Sequence, residues 1–330
     1  TRNLIFDRVS ISGSYTNTDS LQLTTDFAGA GTLTQSANSY FVIGDLTPAA
    51  ILTASASGNT VRYLVAANMS TLDITYHHLI IEELGGTATG DGTYTVNGNY
   101  SVVGGTASLT SVTVAGNITV NSGTILNVGA GSPTISGITT VNGTLNITSV
   151  TGIKTFNDIT VNAGGTWNAS VAEAITINGN LSNSGTFTAN TGVYTLAGAA
   201  KTILGTFSIP NTTVTGSYTN NGTFSSTTSL LGAGTFSQGA AATLNLGITP
   251  ANFAVTTFNA SASGNTVNYN LAGAQDVRVP ADVSYHHLTL SSSGTKTLLG
   301  ATDINGNVTI NSALTANNFN ITLAGNWTST

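Results

Sequence analysis

Three features of the sequence predict an all-β fold, a parallel β-solenoid. Only 6% of the 330 residues are charged, and uncharged Gly, Thr, Ser and Asn take their place. Thr favours extended strands, whereas Gly and Asn favour tight turns. Short apolar–polar alternations also end at Asn-containing turns and restart roughly every 20 residues. A solenoid whose coils each add two or three short strands accounts for all three features.

The coil repeat is clearest in the middle of the chain. An apolar residue followed by Asn marks it at Val120, Val141, Val161 and Ile177, spaced 21, 20 and 16 residues apart. Two positions before the markers, on the inward face predicted by strand alternation, stand Ile118, Thr139, Ile159 and Ile175. Apolar residues return after the turns at Ile125, Leu145, Trp167 and Leu181. We expect the Asn residues at recurrent turns to form side-chain amide ladders between coils.

The repeat length predicts the size of the solenoid. About 16 coils of about 20 residues, stacked at about 4.8 Å, would form one continuous rod. Tandem β-sandwich domains are the alternative fold, because sandwich strands also recur at short spacings.

A longer duplication divides the chain into three parts. Matching segments are 13–17 with 216–220 (GSYTN), 54–61 with 260–267 (ASASGNTV) and 76–79 with 285–288 (YHHL). The matches keep their order, so residues 1–103 and 204–330 are predicted to be two copies of one solenoid block. Residues 104–203 supply the middle coils.

The amino-acid sequences of the repeats resemble those of repeats in known bacterial proteins. Segments 116–120 (GNITV), 142–147 (NGTLNI) and 304–310 (INGNVTI) carry the resemblance. They are similar to repeats in β-solenoid cell-surface proteins, namely filamentous-haemagglutinin-like and autotransporter-passenger-like adhesins and exported repeat proteins of Bacteroidetes-type bacteria. The resemblance implies an extracellular or cell-surface protein that acts in attachment, biofilm matrix or fibre formation.

Charge and composition exclude several partners. The formal net charge is −6 and the pI is near 4.8, so we expect no nucleic-acid binding. No apolar run reaches the roughly 18 residues that a membrane-spanning helix needs, so no membrane insertion is expected. Because the chain has no Cys, disulfides and thiolate metal sites are excluded.

The distribution of charges predicts that the chain is not an enzyme. Residues 92–153 and 202–275 contain no Asp, Glu, Lys, Arg or His, so they offer no side chain for acid–base catalysis. The densest acidic group combines Glu82, Glu83 and Asp91, with Asp73 nearby. Its Glu pair is replaced by two Ser in the second block. We therefore predict no catalytic, cofactor-binding or metal-binding residues and no cofactor.

The two YHHL segments hold all four His residues. Strand alternation predicts that His286 shares a face with Leu288, while Tyr285 and His287 lie on the opposite face. Adjacent His residues on opposite faces make a poor zinc site. One interpretation treats His77 and His286 as hydrogen-bonded inner or corner residues. The other makes equivalent contact patches, for glycans or a neighbouring subunit, from Tyr76 with His78 and from Tyr285 with His287.

The two ends of the solenoid predict one of two arrangements: either a longer polypeptide continues the solenoid, or the end of one subunit meets the start of the next, head to tail. A soluble solenoid must cap its ends, since exposed strand edges pair with other chains. The first residues offer only a weak polar cap, and the last still follow the strand pattern. The candidate residues for end-to-end association are Arg2, Asp7, Arg8, Asn326 and Trp327.

The leading hypothesis is therefore a structural protein that associates with itself, head to tail or laterally, into a fibre, filament, sheath or adhesin stalk. A glycan-binding adhesin module that recognises glycans or host surfaces is the alternative. A polysaccharide-acting enzyme would need the acidic group. Ice binding would need regular arrays from Thr pairs such as Thr32–Thr34, Thr87–Thr89 and Thr93–Thr95, whose spacing is not constant.

Overall fold

The computed structural model describes residues 3–44, 50–65, 69–90 and 93–329. They form a parallel β-solenoid of about 15 turns, as the repeat length predicted. Within these ranges there is no α-helix and only one 3₁₀ turn, Pro250–Asn252. The sandwich alternative is wrong, because strands pair in parallel with strands about one coil away in sequence rather than in antiparallel hairpins.

The chain divides into two compact units, Thr1–Glu173 and Ala174–Thr330. The predicted division into a first solenoid block (1–103), middle coils (104–203) and a second block (204–330) rests on sequence similarity and stays a prediction.

The strands of the first unit are short, and most coils contribute three of them. They are β1 (Asn3–Ser10), β2 (Ser14–Asn17), β3 (Ser20–Ala28), β4 (Thr32–Gln35), β5 (Tyr40–Ile43), β6 (Ile51–Thr53), β7 (Thr60–Val65), β8 (Met69–Ser70), β9 (Thr75–Tyr76), β10 (His78–Gly90), β11 (Thr95–Val96), β12 (Tyr100–Leu109), β13 (Thr113–Val114), β14 (Ile118–Val120), β15 (Ile125–Val128), β16 (Thr134–Ile135), β17 (Thr139–Val141), β18 (Thr144–Ile147), β19 (Lys154–Phe156), β20 (Ile159–Val161) and β21 (Thr166–Ala169).

The second unit repeats this pattern. Its strands are β22 (Ile175–Ile177), β23 (Leu181–Asn183), β24 (Thr186–Thr188), β25 (Val193–Leu196), β26 (Lys201–Ser208), β27 (Asn211–Val214), β28 (Ser217–Asn220), β29 (Thr223–Ser226), β30 (Ser229–Gln238), β31 (Thr243–Leu246), β32 (Phe253–Asn259), β33 (Thr266–Tyr269), β34 (Gln275–Val277), β35 (Ser284–Tyr285), β36 (His287–Leu290), β37 (Thr295–Leu298), β38 (Thr302–Ile304), β39 (Val308–Ile310), β40 (Ala313–Thr315), β41 (Ile321–Leu323) and β42 (Trp327–Ser329).

In-register stacking builds the core of each unit. Val120 of β14 lies beside Val141 of β17, which lies beside Val161 of β20, and all three are buried. The residues predicted to face inward two positions before each marker are buried as well, and they include the polar Thr139. Ile125 faces outward, and its neighbour Leu126 fills the core instead. Inward columns of apolar residues therefore hold the coils together.

Amide ladders form between coils, as the recurrent Asn residues predicted. At the turn after the marker valines, Asn162 donates a hydrogen bond from Nδ2 to Asn142 Oδ1 at 2.7 Å. A second ladder lies on the outer face of the strands, where Asn168 donates to Asn146 and Asn146 donates to Asn127, at 3.1 and 3.0 Å. These bonds fix the register of neighbouring coils from outside the core.

Candidate association surfaces

The two YHHL segments occupy equivalent corners, one in each unit. In the first unit, β9 ends at Tyr76 and β10 begins at His78. The chain bends at His77, and the second unit bends in the same way at His286. Because the bend separates two strands, the alternation of faces restarts there.

The bend overturns the predicted contact patches. Tyr76 and Tyr285 are fully buried, so neither can contact a glycan or a neighbouring subunit. The prediction that His286 shares the inward face of Leu288 is also wrong, because Leu288 is buried and His286 is partly exposed at the corner. His78 and His287 are the members of the predicted patches that remain partly exposed.

Each buried corner Tyr is half of a hydrogen-bonded pair. The Tyr63 and Tyr76 hydroxyls are 2.6 Å apart, and those of Tyr269 and Tyr285 are 2.7 Å apart. Burial raises the pKa of Tyr63 to about 12, and it does the same for Tyr269. The hydroxyls therefore stay neutral and link neighbouring coils inside the core. Neither pair offers a surface for binding.

The His rings stack edge to face at each corner. The ring centroids of His77 and His78 are 4.3 Å apart, and those of His286 and His287 are 4.4 Å apart. The Nδ1 atoms of His77 and His286 are buried, with no hydrogen-bond partner in the described part of the chain. These two residues are corner residues, and the expected side-chain hydrogen bond at Nδ1 is not formed there.

The second His of each pair is a hydrogen-bond acceptor. The Asn99 backbone N–H donates to His78 Nδ1 at 2.9 Å, and the Asn307 N–H donates to His287 Nδ1 at 2.8 Å. An accepting Nδ1 places the ring proton on Nε2. Burial, together with the adjacent His77, lowers the pKa of His78. Burial lowers the pKa of His287 as well, with a smaller contribution from its own neighbour. Both rings are therefore held neutral.

Asn residues continue this pattern in the next coils. Asn99 Oδ1 accepts from the Asn117 N–H at 3.0 Å, and Asn117 Oδ1 accepts from the Ile138 N–H at 2.9 Å. In the second unit, Asn307 Oδ1 accepts from the Asn326 N–H at 3.0 Å. The His residue thus begins a corner ladder that Asn extends.

Glycine is required beside each accepting His. A Cβ added at Gly98 would lie 2.5 Å from His78 Nδ1, and one added at Gly306 would lie 2.5 Å from His287 Nδ1. In the sequence the ladder is marked by the pairs Asn97–Gly98 and Asn305–Gly306, each about one coil after a YHHL segment, and its hydrogen bonds follow from the stacking of coils.

The acidic group forms no carboxylate pair in the described residues. Glu82 forms an ion pair with Arg62, and Glu83 is buried on the other side of the strand. Burial raises the pKa of Glu83. Asp73 is exposed, and Asp91 lies outside the described residues. Across the described part of the chain, no three His, Asp or Glu side chains come together in a way that could hold a metal ion.

The first coil exposes side chains that point toward the core. Leu4 and Phe6 of β1 and Tyr15 of β2 line an open cleft of about 390 Å³, together with buried Phe27 and Leu33. β1 pairs with β3 and β2 pairs with β4. The cleft is therefore an open cross-section of the apolar core.

The polar residues predicted at this end are engaged within their own unit or exposed. Asp7 Oδ1 accepts hydrogen bonds from the hydroxyls of Thr24 and Thr25, at 2.7 and 3.0 Å, and these bonds lower the pKa of Asp7. Arg8 is exposed, and Arg2 lies outside the described residues.

The last coil also leaves inward positions open. Trp327 of β42 is in register with buried Val308, yet 51% of its surface is exposed. Ile321 and Leu323 of β41 are partly exposed, although they pair with the buried residues of β38. Asn326 belongs to the corner ladder described above. The first and last coils thus expose apolar residues, of which only Trp327 is among the end residues that the sequence predicted.

A polar groove lies on the outer surface of the second unit. It has a volume of about 470 Å³ and no charged residue in its lining, which consists of Ser208, Ser225, Ser226, Thr227, Asn245, Gly247 and Asn270. Asn270 Oδ1 is buried and has no hydrogen-bond partner in the described residues. The groove offers hydroxyl and amide groups for hydrogen bonds to a neutral polar molecule.

Comparisons with protein-family models, curated proteins and solved structures give no match for this chain. Among the described residues, no helix has the length and apolar character needed to cross a membrane.

Proposed function

We propose that this chain is a non-enzymatic structural protein of the bacterial cell exterior that associates with copies of itself. The observation that carries the proposal is the parallel β-solenoid itself, an architecture in which each coil is held by strand edges that can pair with a further coil. A parallel solenoid has different surfaces at its two ends, so contact between them is head to tail. Such contacts build open filaments when the rotation does not close.

Two further features support the proposal. The bacterial, extracellular setting rests on the resemblance of repeats such as 304–310 to those of cell-surface adhesins. The low charge of the chain supports lateral packing in a fibre or sheath, because little like-charge repulsion would keep neighbouring molecules apart.

Electron microscopy of the purified 330-residue chain tests the proposal. Samples across a concentration series are imaged in negative stain, and the same samples are analysed by sedimentation velocity. We expect regular fibres and a sedimenting fraction that grows with concentration. A chain that stays monomeric at every concentration would contradict self-association.

A glycan-binding module is the second candidate function, and the polar groove of the second unit favours it. Neutral saccharides are bound through many hydrogen bonds to hydroxyl and amide groups, which the groove supplies. Asn270 lines the groove, so its side-chain amide would take part in such a site.

A glycan array followed by calorimetry on the best binder tests this second candidate. We expect Asn270→Ala to weaken binding by at least about tenfold. Asn259→Ala is the matched control, because Asn259 is an outward Asn of the same unit that does not line the groove. Absence of binding over the array, or equal losses in both variants, would reject the groove as a glycan site.

A further inference from the structure

The polar groove of the second unit follows two columns of equivalent positions. In the first column, Ser208 of β26 lies beside Ser225 of β29, which lies beside Asn245 of β31. In the second column, Gly247 and Asn270 hold the same place in neighbouring coils, directly after β31 and β33. Both columns cross from coil to coil, so the groove runs along the axis of the unit rather than around a coil.

The length of the groove follows from the coil spacing. Its lining extends from Ser208 to Asn270, over the four successive coils that contain β26, β29, β31 and β33. Steps of about 4.8 Å between these coils give a groove roughly 14 Å long. Its volume of about 470 Å³ lies in the range of ligand sites in proteins. Further coils precede and follow these four, so the groove belongs to interior coils.

The hydrogen-bonding groups of the first column are held in place before a ligand binds. Asn268 donates from Nδ2 to Asn245 Oδ1, and Asn245 donates from Nδ2 to Ser225 Oγ, both at 3.2 Å. With these bonds formed, the Asn245 amide still has a second hydrogen and the Ser225 hydroxyl has its own hydrogen to donate. Side chains that are already fixed lose little conformational entropy on binding.

The chemistry of the groove selects uncharged ligands. Its lining consists of hydroxyl, amide and backbone groups, with no charged side chain. Residues 202–275 of the sequence contain no Asp, Glu, Lys, Arg or His, and every lining residue falls within this stretch. A charged ligand would therefore lose hydration without gaining an ion pair from the lining.

An extended peptide fits the groove less well than a polysaccharide does. A peptide that adds to a sheet needs an unpaired strand edge, whereas β29, β31 and β33 are paired with strands of the coils on both sides. An extended peptide also advances by about 3.3 Å per residue, which does not match a coil spacing of about 4.8 Å. Sugar rings are longer units, and each presents several hydroxyl groups to the hydroxyl and amide groups of one coil.

We propose that the groove binds an extended, uncharged polysaccharide that lies along the axis of the second unit, with successive sugar rings facing successive coils. The proposal rests on the glycan-binding function given above as the second candidate, and it names the class and the direction of the glycan.

Gly247 gives the groove room for the sugar rings. A Cβ added there would lie 3.5 Å from Asn270 Oδ1, its nearest neighbour, and the backbone of Gly247 is outside the left-handed region. A larger residue therefore fits at this position without backbone strain and fills the groove. Gly129 occupies the same place in the first unit, directly after β15, and an added Cβ would lie 3.4 Å from the Leu109 carbonyl oxygen. Gly129 does not line the groove.

Calorimetry with oligosaccharides of increasing length tests the class and direction of the ligand. The ligands are cello-, xylo-, manno- and laminari-oligosaccharides, from disaccharides to hexasaccharides, with oligogalacturonates and chitosan oligomers as charged counterparts. We expect the tetrasaccharide of at least one neutral series to bind at least about tenfold more tightly than its disaccharide. Longer members should gain little more, because the groove spans four coils. The charged series should not bind.

Filling the groove gives an independent readout. Gly247→Leu should weaken binding of the best oligosaccharide by at least about tenfold, whereas Gly129→Leu should leave it unchanged. Ser208→Leu is a second blocking variant, since Ser208 is exposed at the other end of the groove and lies outside the core. Far-UV circular dichroism checks that all three variants keep the strand content of the unmodified chain.

Each result decides between the two proposals. Length-dependent binding that both groove variants weaken would support both. Binding that the groove variants weaken, but that is independent of length or shared by the charged series, would overturn this ligand class and leave the glycan-binding function standing. Binding that survives both variants, or no binding of any saccharide, would overturn both. Binding of a peptide rich in Ser, Thr and Asn in place of the saccharides would also overturn both.

Discussion

The first coil and its equivalent in the second unit have the same strand register and side-chain hydrogen bonds but opposite exposure. Tyr15 and Tyr218 are the same residue type at the same strand position. Their difference in burial comes from the coils that precede Tyr218. Position within a coil therefore decides which way a side chain points, and the neighbouring coil decides whether it is buried.

The corners of the two copies are alike, in contrast to their first coils. Both corners contain a buried Tyr pair, an edge-to-face His pair and a His whose Nδ1 accepts an N–H from the next coil. Each corner has coils stacked on both sides. We infer that interior coils of the two copies behave alike and that the terminal coil is the exception.

Truncating the equivalent tyrosines gives the largest expected effect. Tyr218→Ala should lower the free energy of unfolding by about 3–5 kcal/mol, since it empties a fully buried aromatic site. Tyr15→Ala should lower it by less than about 1 kcal/mol in the monomer, because the ring is already half exposed. Urea unfolding followed by circular dichroism, at concentrations below assembly, measures both. Equal losses would show that the comparison of burial is wrong.

Acid should weaken both corners to a similar extent. The native pKa values of His78 and His287 lie below the unfolded value of about 6.5, so the neutral rings contribute their full stability above that pH. This contribution is lost as the pH falls through the native pKa values, because a protonated Nδ1 cannot accept the N–H of the next coil. Each lost hydrogen bond should cost about 1 kcal/mol.

The double variant His78→Asn with His287→Asn isolates the effect of the corners. Asn keeps an acceptor, as Asn99 does for Asn117, but it does not titrate in this range. Urea unfolding at about pH 7.5 and about pH 5 should show that acid lowers the free energy of unfolding less in the variant than in the unmodified chain. Carboxylates contribute to both proteins and cancel in the comparison. An identical pH dependence would contradict the role assigned to Nδ1.

The outer amide ladders should give the smallest effect, and it should be equal in the two units. Asn146 donates to Asn127, and Asn268 donates to Asn245 at 3.2 Å. Asn146→Ala and Asn268→Ala should each lower the free energy of unfolding by about 1 kcal/mol. Urea unfolding measures the pair. A cost confined to one unit would show that interior coils of the two units are not equivalent.

The sequence predicted the coil repeat well because each interior coil repeats the same constraint. An apolar residue at every second position, followed by an Asn or Gly turn, defines a short strand whatever its neighbours are. Val120, Val141 and Val161 accordingly lie in register in the core. The ladder of Asn142 and Asn162 follows from the same repeat.

The corner was predicted less well because alternation holds only within one strand. The bend at His286 separates β35 from β36, so alternation counted from Leu288 does not give the face on which Tyr285 lies. Nothing in the residue types of YHHL marks the position of the bend. The buried hydroxyl pair of Tyr269 and Tyr285 could not be predicted from the sequence either, because its members are 16 residues apart and meet only across stacked coils.

The sequence by itself determined the solenoid, its coil length and the duplication of its blocks, since these follow from local alternation and from repeated turns. Only the tertiary structure decided which inward side chains are covered. Tyr15 and Tyr218 lie in the same local motif, GSYTN, and differ because burial depends on the adjacent coil. Strands that pair between coils are far apart in the sequence, so the exposure of the core-facing side chains of the first coil follows from how the coils stack and not from the local sequence.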